Sequence, residues 1–169
     1  MGALATVRDL VDYDRSVFER FERSMERRSW KEGTKNRETG HLSIAGTMVH
    51  ILNVHEAWMV GVAQGRWEVF DDPRRRIGSM RSWKELRAYR DRVWSEIDRF
   101  VEGLTERRLA RRVRAPWMPG RYTLSDAFFQ TSVEQAHHLG EIIGVYWQLN
   151  RRPPDMTWIE NLRQGRKRR

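Results

Sequence analysis

Cysteine is absent from the 169 residues, which excludes disulfides, thiolate metal ligands and a cysteine nucleophile. It fits a reducing compartment, so a cytoplasmic location is expected. No apolar run approaches the length of a membrane span, and MGALATVRDLVDYDR becomes charged before a signal-peptide core can form. The expectation is a soluble protein with no membrane association. An internal repeat, a heptad seam, a phosphate-binding glycine loop and a nucleophile elbow are missing too. What remains has the length of one domain with a real core.

The formal charge is +9, a value that raises nucleic acid as a partner. Its location argues against a broad interface. Arg163, Arg166, Lys167, Arg168 and Arg169 carry five of those charges with no acid among them, leaving +4 over the other 162 residues. Elsewhere arginine mostly alternates with acid, as in Arg20-Phe-Glu-Arg-Ser-Met-Glu-Arg27, the habit of a solvated helix face. The division expected is a folded domain over 1–162 and a basic tail over 163–169. Any nucleic-acid affinity is expected in that tail, which has no apolar residue to bury.

Apolar residues recur at helical spacing in separate blocks. Val7, Leu10, Val11, Phe18, Phe21 and Met25 mark one helix from Leu4 to about Arg28. Asp14 falls at the edge of that stripe and reads as a solvent-reaching carboxylate, with support of a ligand histidine as the sharper alternative. A polar, glycine-flanked loop over 32–40 follows. Thr47, His50, Ile51, Val54, Trp58 and Gly61 define a second helix over about 43–64, with His55 near the margin of its stripe and His41 ahead of it. Residues 65–80 read as a solvated loop. Ser82-Trp-Lys-Glu85 reads as a capping box opening a third helix, whose buried face runs from Leu86 to Leu104. Prolines and a glycine in Ala115-Pro-Trp-Met-Pro-Gly120 make 107–122 an irregular excursion. Thr123-Leu-Ser-Asp126 then caps a fourth helix that runs to about Asn150. The pattern predicts an all-α protein, a four-helix bundle with a longer crossover connection.

The chemistry-bearing stretch is Glu134-Gln-Ala-His-His-Leu-Gly-Glu141. Glu134 and His138 lie one helical turn apart and project from one face, whereas His137 points elsewhere. The pair forms half of a metal site, and the missing ligand is expected from the segment His41 to Glu56. A buried carboxylate there needs a cation, an Arg or His partner, or a route to water, and the residues alone leave these readings open. His55 and Glu141 are the nearby candidates for proton transfer or ligand support, with an edge or surface role as the plainer reading of each. Phe129, Ile143 and Trp147 form a second apolar line on the last helix. Together with eight tryptophans, that line predicts a homodimer formed through a helix face.

Thr47-Met-Val-His-Ile-Leu-Asn-Val-His-Glu-Ala-Trp58, then Glu134-Gln-Ala-His-His-Leu-Gly-Glu-Ile-Ile143 and Pro153-Pro-Asp-Met156, resembles the DinB/YfiT-like superfamily over most of the chain. The resemblance implies a four-helix bundle with a crossover, often homodimeric. It also implies a metal held by one histidine on the second helix and an H-x-x-x-H pair on the last. Carried onto this sequence, the metal ligands are His50 and His138, with Glu134 where the family has its middle histidine. Two histidines and a carboxylate suit one divalent ion such as zinc, nickel, iron or manganese. The implied activity is metal-dependent transfer or hydrolysis on a small electrophilic substrate, with a low-molecular-weight thiol as attacking group. The rival readings are a binding or assembly module without metal, and a nucleic-acid binder acting through the tail.

Overall fold

The computed structural model describes residues 2–66 and 73–161. The basic tail and its boundary therefore lie outside the described residues. The protein is mostly helical: α1 (Ala3–Glu26), the short α2 (Trp30–Gly33), α3 (Ile44–Glu56) and α4 (Pro73–Ser79) are followed by α5 (Trp83–Glu102), the short α6 (Glu106–Leu109) and α7 (Leu124–Gln148). Two short strands, β1 (Arg112–Val113) and β2 (Tyr122–Thr123), pair antiparallel just before α7. They bracket the Pro- and Gly-bearing excursion expected at 107–122. No described helix is long and apolar enough to cross a membrane.

Each long helix is held to its place by the stripe that its sequence carries. Val7, Val11, Phe18, Phe21 and Met25 of α1 are buried against Leu139, Ile142 and Tyr146 of α7 and against α5 in one continuous core. Side-chain bonds give the directions. Ser24 and Ser132 lie at opposite ends of the α1–α7 seam, Ser132 meeting Asp14 and Ser24 meeting Tyr146, so α1 and α7 run parallel. Ion pairs Arg15–Asp98, Glu22–Arg90 and Glu26–Arg87 step in opposite senses, so α5 runs antiparallel to α1. Across α3 and α7, His50 meets His138 while His55 meets Gln135, an antiparallel pairing.

Helix starts follow the expected chemistry with one revision. The Ser43 hydroxyl accepts from Gly46 N–H at 3.0 Å, and the Thr123 and Asp126 side chains cap each other's backbone in a full capping box. At Ser82 only half of the expected box forms. Its hydroxyl accepts from Glu85 N–H, but the Glu85 carboxylate turns to Arg81 N–H at 2.6 Å instead of to Ser82. At the first turn of α1, Gly2 has no side chain to offer, and Glu106 of α6 accepts from Leu4 N–H at 3.0 Å in its place.

Two segments depart from the periodic reading. Within the span read as a solvated loop, Pro73–Ser79 is helical and packs on α3, with proline at its first position, where a missing N–H costs nothing. Its Arg76 lies over the Tyr89 ring at 4.3 Å and 3.4 Å from the buried Glu56 carboxylate. Glu56 also receives Tyr89 Oη–H at 2.8 Å and Arg92 at 2.6 Å, so this buried charge is fully partnered. The second helix then passes into a π-helical turn at Ala57–Val62 in which all six residues are buried. The extra residue per turn rotates the apolar face, so Trp58, Met59 and Val62 all join the core.

Asp14 is a third revision. It is buried, not solvent-reaching, with Ser132 donating to its carboxylate at 2.5 Å and Gln135 to its carbonyl at 2.8 Å. Gln135 passes its own oxygen to the ring of the buried His55 at 3.1 Å, so His55 is a core residue within a polar chain and not a marginal one. Burial pushes the Asp14 carboxyl up to about 8, against the lowering effect of the Ser132 bond, and the same burial pushes His55 down to about 4. The folded protein thus holds a proton on Asp14 that the unfolded chain releases at much lower pH. Stability from Asp14 is full below the unfolded carboxyl range and is lost as pH rises toward 8; that from the depressed His55 is lost as pH falls through 6.5 toward 4. Between pH 6.5 and 8 only the Asp14 effect remains of the two. Urea unfolding should therefore show stability falling by up to about 2 kcal/mol across that window, and Asp14→Asn should flatten the slope. An equal slope in the variant would contradict the buried protonated carboxyl.

Candidate metal centre

The seam between α3 and α7 carries the histidines because each helix places one in its facing stripe. His50 lies less than two turns into α3, and His138 just past the middle of the antiparallel α7, and the two meet across the seam. Their rings stand edge to face with centroids 4.5 Å apart. His138 is buried, and the Nδ1 of His50 is a buried ring nitrogen with no hydrogen-bond partner. Burial, with His41 and His138 adding to it, pushes the His50 imidazole down to about 3, so the ring is neutral at physiological pH and offers a lone pair.

The third ring comes from outside the helices. His41 stacks on His50 at 3.7 Å between centroids and sits edge-on to His138 at 5.0 Å. The turn ahead of α3 delivers it. Arg37 N–H donates to Leu42 C=O at 2.6 Å, Leu42 N–H to Thr39 C=O at 2.9 Å, and Ser43 N–H to His41 C=O at 2.7 Å. Leu42 is held in the left-handed region at φ 64°, a conformation that costs a side-chain-bearing residue on the order of 1 kcal/mol. Gly46 completes the fit. A Cβ at Gly46 would stand 2.3 Å from the His41 carbonyl oxygen, so only glycine lets the chain fold back over the first turn of α3.

One donor atom from each of His41, His50 and His138 fits within 4.8 Å of the others, a cluster that could hold a metal ion. Two carboxylates flank it. Glu134 Oε2 lies 3.5 Å from His138 Nε2, and Glu141 Oε2 lies 3.3 Å from His138 Nδ1. Either ring nitrogen of His138 can therefore stay on a carboxylate while the other faces an ion, the support that metal-bound imidazoles commonly have. Glu141 also closes over the turn, since a Cβ on Gly40 would meet its Oε1 at 3.3 Å.

The residues named from sequence thus fall into three groups. His50 and His138 are brought together. Glu134 stands beside His138 but keeps 36% of its side chain exposed and accepts from Gln130 at 2.9 Å, so its carboxylate reaches water as well as the cluster. Of the supporting candidates, Glu141 touches His138, whereas His55 bonds to Gln135 and packs on Trp94. His137 was expected to point elsewhere; it is 67% exposed, but its ring stands edge-on to His138 at 4.9 Å, and with His138 and Glu141 it forms a second, more open group that could hold a metal ion. His41 begins the segment from which a further ligand was expected but was not singled out as a member of the cluster, because periodicity says nothing about a loop. The available signal was Ser43 as a helix cap with Gly46 three residues on, which allows the preceding chain to lie flat against the helix.

A histidine cluster with one buried, unpartnered ring nitrogen and two carboxylates beside it fits a divalent cation. Three imidazole nitrogens suit the borderline transition metals, and the carboxylates compensate the charge. The class so defined is a helical protein with a histidine-lined centre that could hold a metal. The chain belongs to the DinB superfamily, whose model matches residues 11–142, a span that includes His41, His50, Glu134, His138 and Glu141. No curated protein matches the sequence.

The close approach at Gly46 gives a direct check on the third ring. Gly46→Ala should force the His41 turn outward and cost about 1–3 kcal/mol by overpacking. The ring stacking of His41 on His50 should disappear from the nuclear Overhauser contacts of the variant. Retention of both the contact and wild-type stability would show that the turn does not depend on the missing Cβ.

Proposed function

We propose that the protein is a metal-dependent catalyst in which His41, His50 and His138 hold one divalent ion of the zinc, nickel, iron or manganese class. The reaction we propose is attack of a small thiol or of water on a small electrophilic substrate. The observation that carries this reading is the convergence of three rings at the α3–α7 seam, each with a ring nitrogen within 4.8 Å of the others, beside the buried and unpartnered Nδ1 of His50. A divalent ion bound there supplies Lewis acidity toward a thiol or water at neutral pH. The chain's own residues supply the rest. Glu141 orients His138, and Glu134, half in water and 3.5 Å from His138, is placed to take up a proton or to add a carboxylate to the ligand set.

The scaffold belongs to the same reading. Because α3 runs antiparallel to α7, α7 parallel to α1 and α5 antiparallel to α1, α3 and α5 are parallel. The connection between them must then return along the molecule, as in a four-helix bundle with a crossover. Residues 1–162 form that single domain, with 163–169 appended. The metal centre sits where two of its helices and the turn before α3 meet, away from the crossover.

Metal stoichiometry after loading with zinc, nickel, manganese or iron(II) tests the proposal. Wild type should retain one equivalent through desalting. His50→Ala and His138→Ala should lose most of it, His41→Ala should weaken binding at least tenfold, and His137→Ala should leave it unchanged. Glu134→His should keep a site and change the order of metal preference. A wild-type protein that stays empty with all four metals would overturn the reading and favour a binding module.

A further inference from the structure

We infer that a second site, the cleft where the C-terminal ends of α1 and α7 meet, binds a small dianion, and that a phosphate monoester with an apolar body is the chemistry it fits. The cleft holds about 290 Å³ and is lined by Arg27, Arg28, Arg151 and Arg152. Its floor is apolar, made by the buried Met25 and Tyr146. In the body of the protein guanidinium groups such as Arg15, Arg37, Arg87, Arg90 and Arg92 are each set against a carboxylate. None of the four cleft arginines makes an ion pair among the described residues. All four are exposed, as are Arg107 and Arg114, which also make no ion pair among the described residues; what sets the four apart is that they line one cleft, where an anion would relieve their mutual repulsion.

The polar lining agrees. Glu32 is the acid in the cleft, and its carboxylate is engaged by Arg37. Tyr146 donates its hydroxyl hydrogen to Ser24 Oγ at 2.7 Å, which leaves the Ser24 hydroxyl hydrogen to donate toward a ligand oxygen. Two helix C-termini oppose an anion with about half a negative charge each, too little to cancel four cations. Their carbonyls are also engaged, Met25 by Arg28 N–H, and Trp147 and Tyr146 by Asn150 and Arg151 N–H. A half-open cleft with the Tyr146 ring in its lining suits a compact ligand. A nucleic-acid backbone would call for a stripe of cations, and these four are gathered at one point. The cleft is distinct from the histidine cluster: Leu149, on its wall, lies about 16 Å along α7 from His138.

Calorimetric titration of the full chain with phenyl phosphate tests the site. One saturable equivalent is expected, weakened at least tenfold in Arg28→Ala/Arg152→Ala with an unchanged circular dichroism spectrum. Arg107→Ala/Arg114→Ala removes the same charge from exposed positions elsewhere and should change affinity less than twofold. Three results would overturn the inference: no saturation, equal weakening in both double variants, or binding of a single-stranded 20-nucleotide DNA by a protein that does not bind phenyl phosphate.

Discussion

Three imidazoles pressed together at the α3–α7 seam set the terms for the rest of this molecule. Each ring gives up water to be there, and His50 gives it up without gaining a partner for Nδ1. Such a cluster survives only if the surrounding packing is rigid and some neighbouring charge is available to complement a cation. Both conditions are met. Ile44, Met48, Ile51 and Leu52 of α3 and Leu139 and Ile142 of α7 are buried around it, and Glu134 and Glu141 bracket His138.

The turn that carries His41 gives up stability to complete the cluster. Leu42 occupies a backbone region that suits glycine, its side chain is 55% exposed, and Gly46 forgoes a side chain in the first turn of α3. These are features that packing alone would not favour. They follow if the position of the third ring is worth more than the local cost. About one turn away α3 and α7, joined by α1, carry a different polar system, Asp14–Gln135–His55, in which the side chains are hydrogen-bonded to one another. The contrast separates a structural polar chain from the candidate metal centre beside it.

α1, α5 and α7 were legible because their stripes hold a period of 3.6 residues over five or more turns, and α3 because it keeps that period up to its π-helical turn. His50 and His138 were legible as stripe residues for the same reason, and their reading as a ligand pair came from the family resemblance. The rest depended on contacts that a period cannot express. Pro73–Ser79 read as loop because its charge hides the fact that Arg76 has Tyr89 and Glu56 to fold onto. Asp14 and His55 read as edge residues because each alone is polar, while together with Gln135 and Ser132 they can be buried. Glu134 read as buried because it shares a face with His138, but it lies one turn nearer the open edge and reaches water. His41 required knowing the fold of a turn.

The central claim is that three imidazoles, His41 included, face one ion. X-ray absorption at the zinc edge of the loaded full-length protein measures this directly, because each imidazole ligand adds its own outer-shell scattering. Three histidine nitrogens, with the remaining positions filled by oxygen and no sulfur, is the result expected, falling to two in His41→Ala. A zinc shell with one imidazole or none, or a count unaltered in His41→Ala, would contradict it.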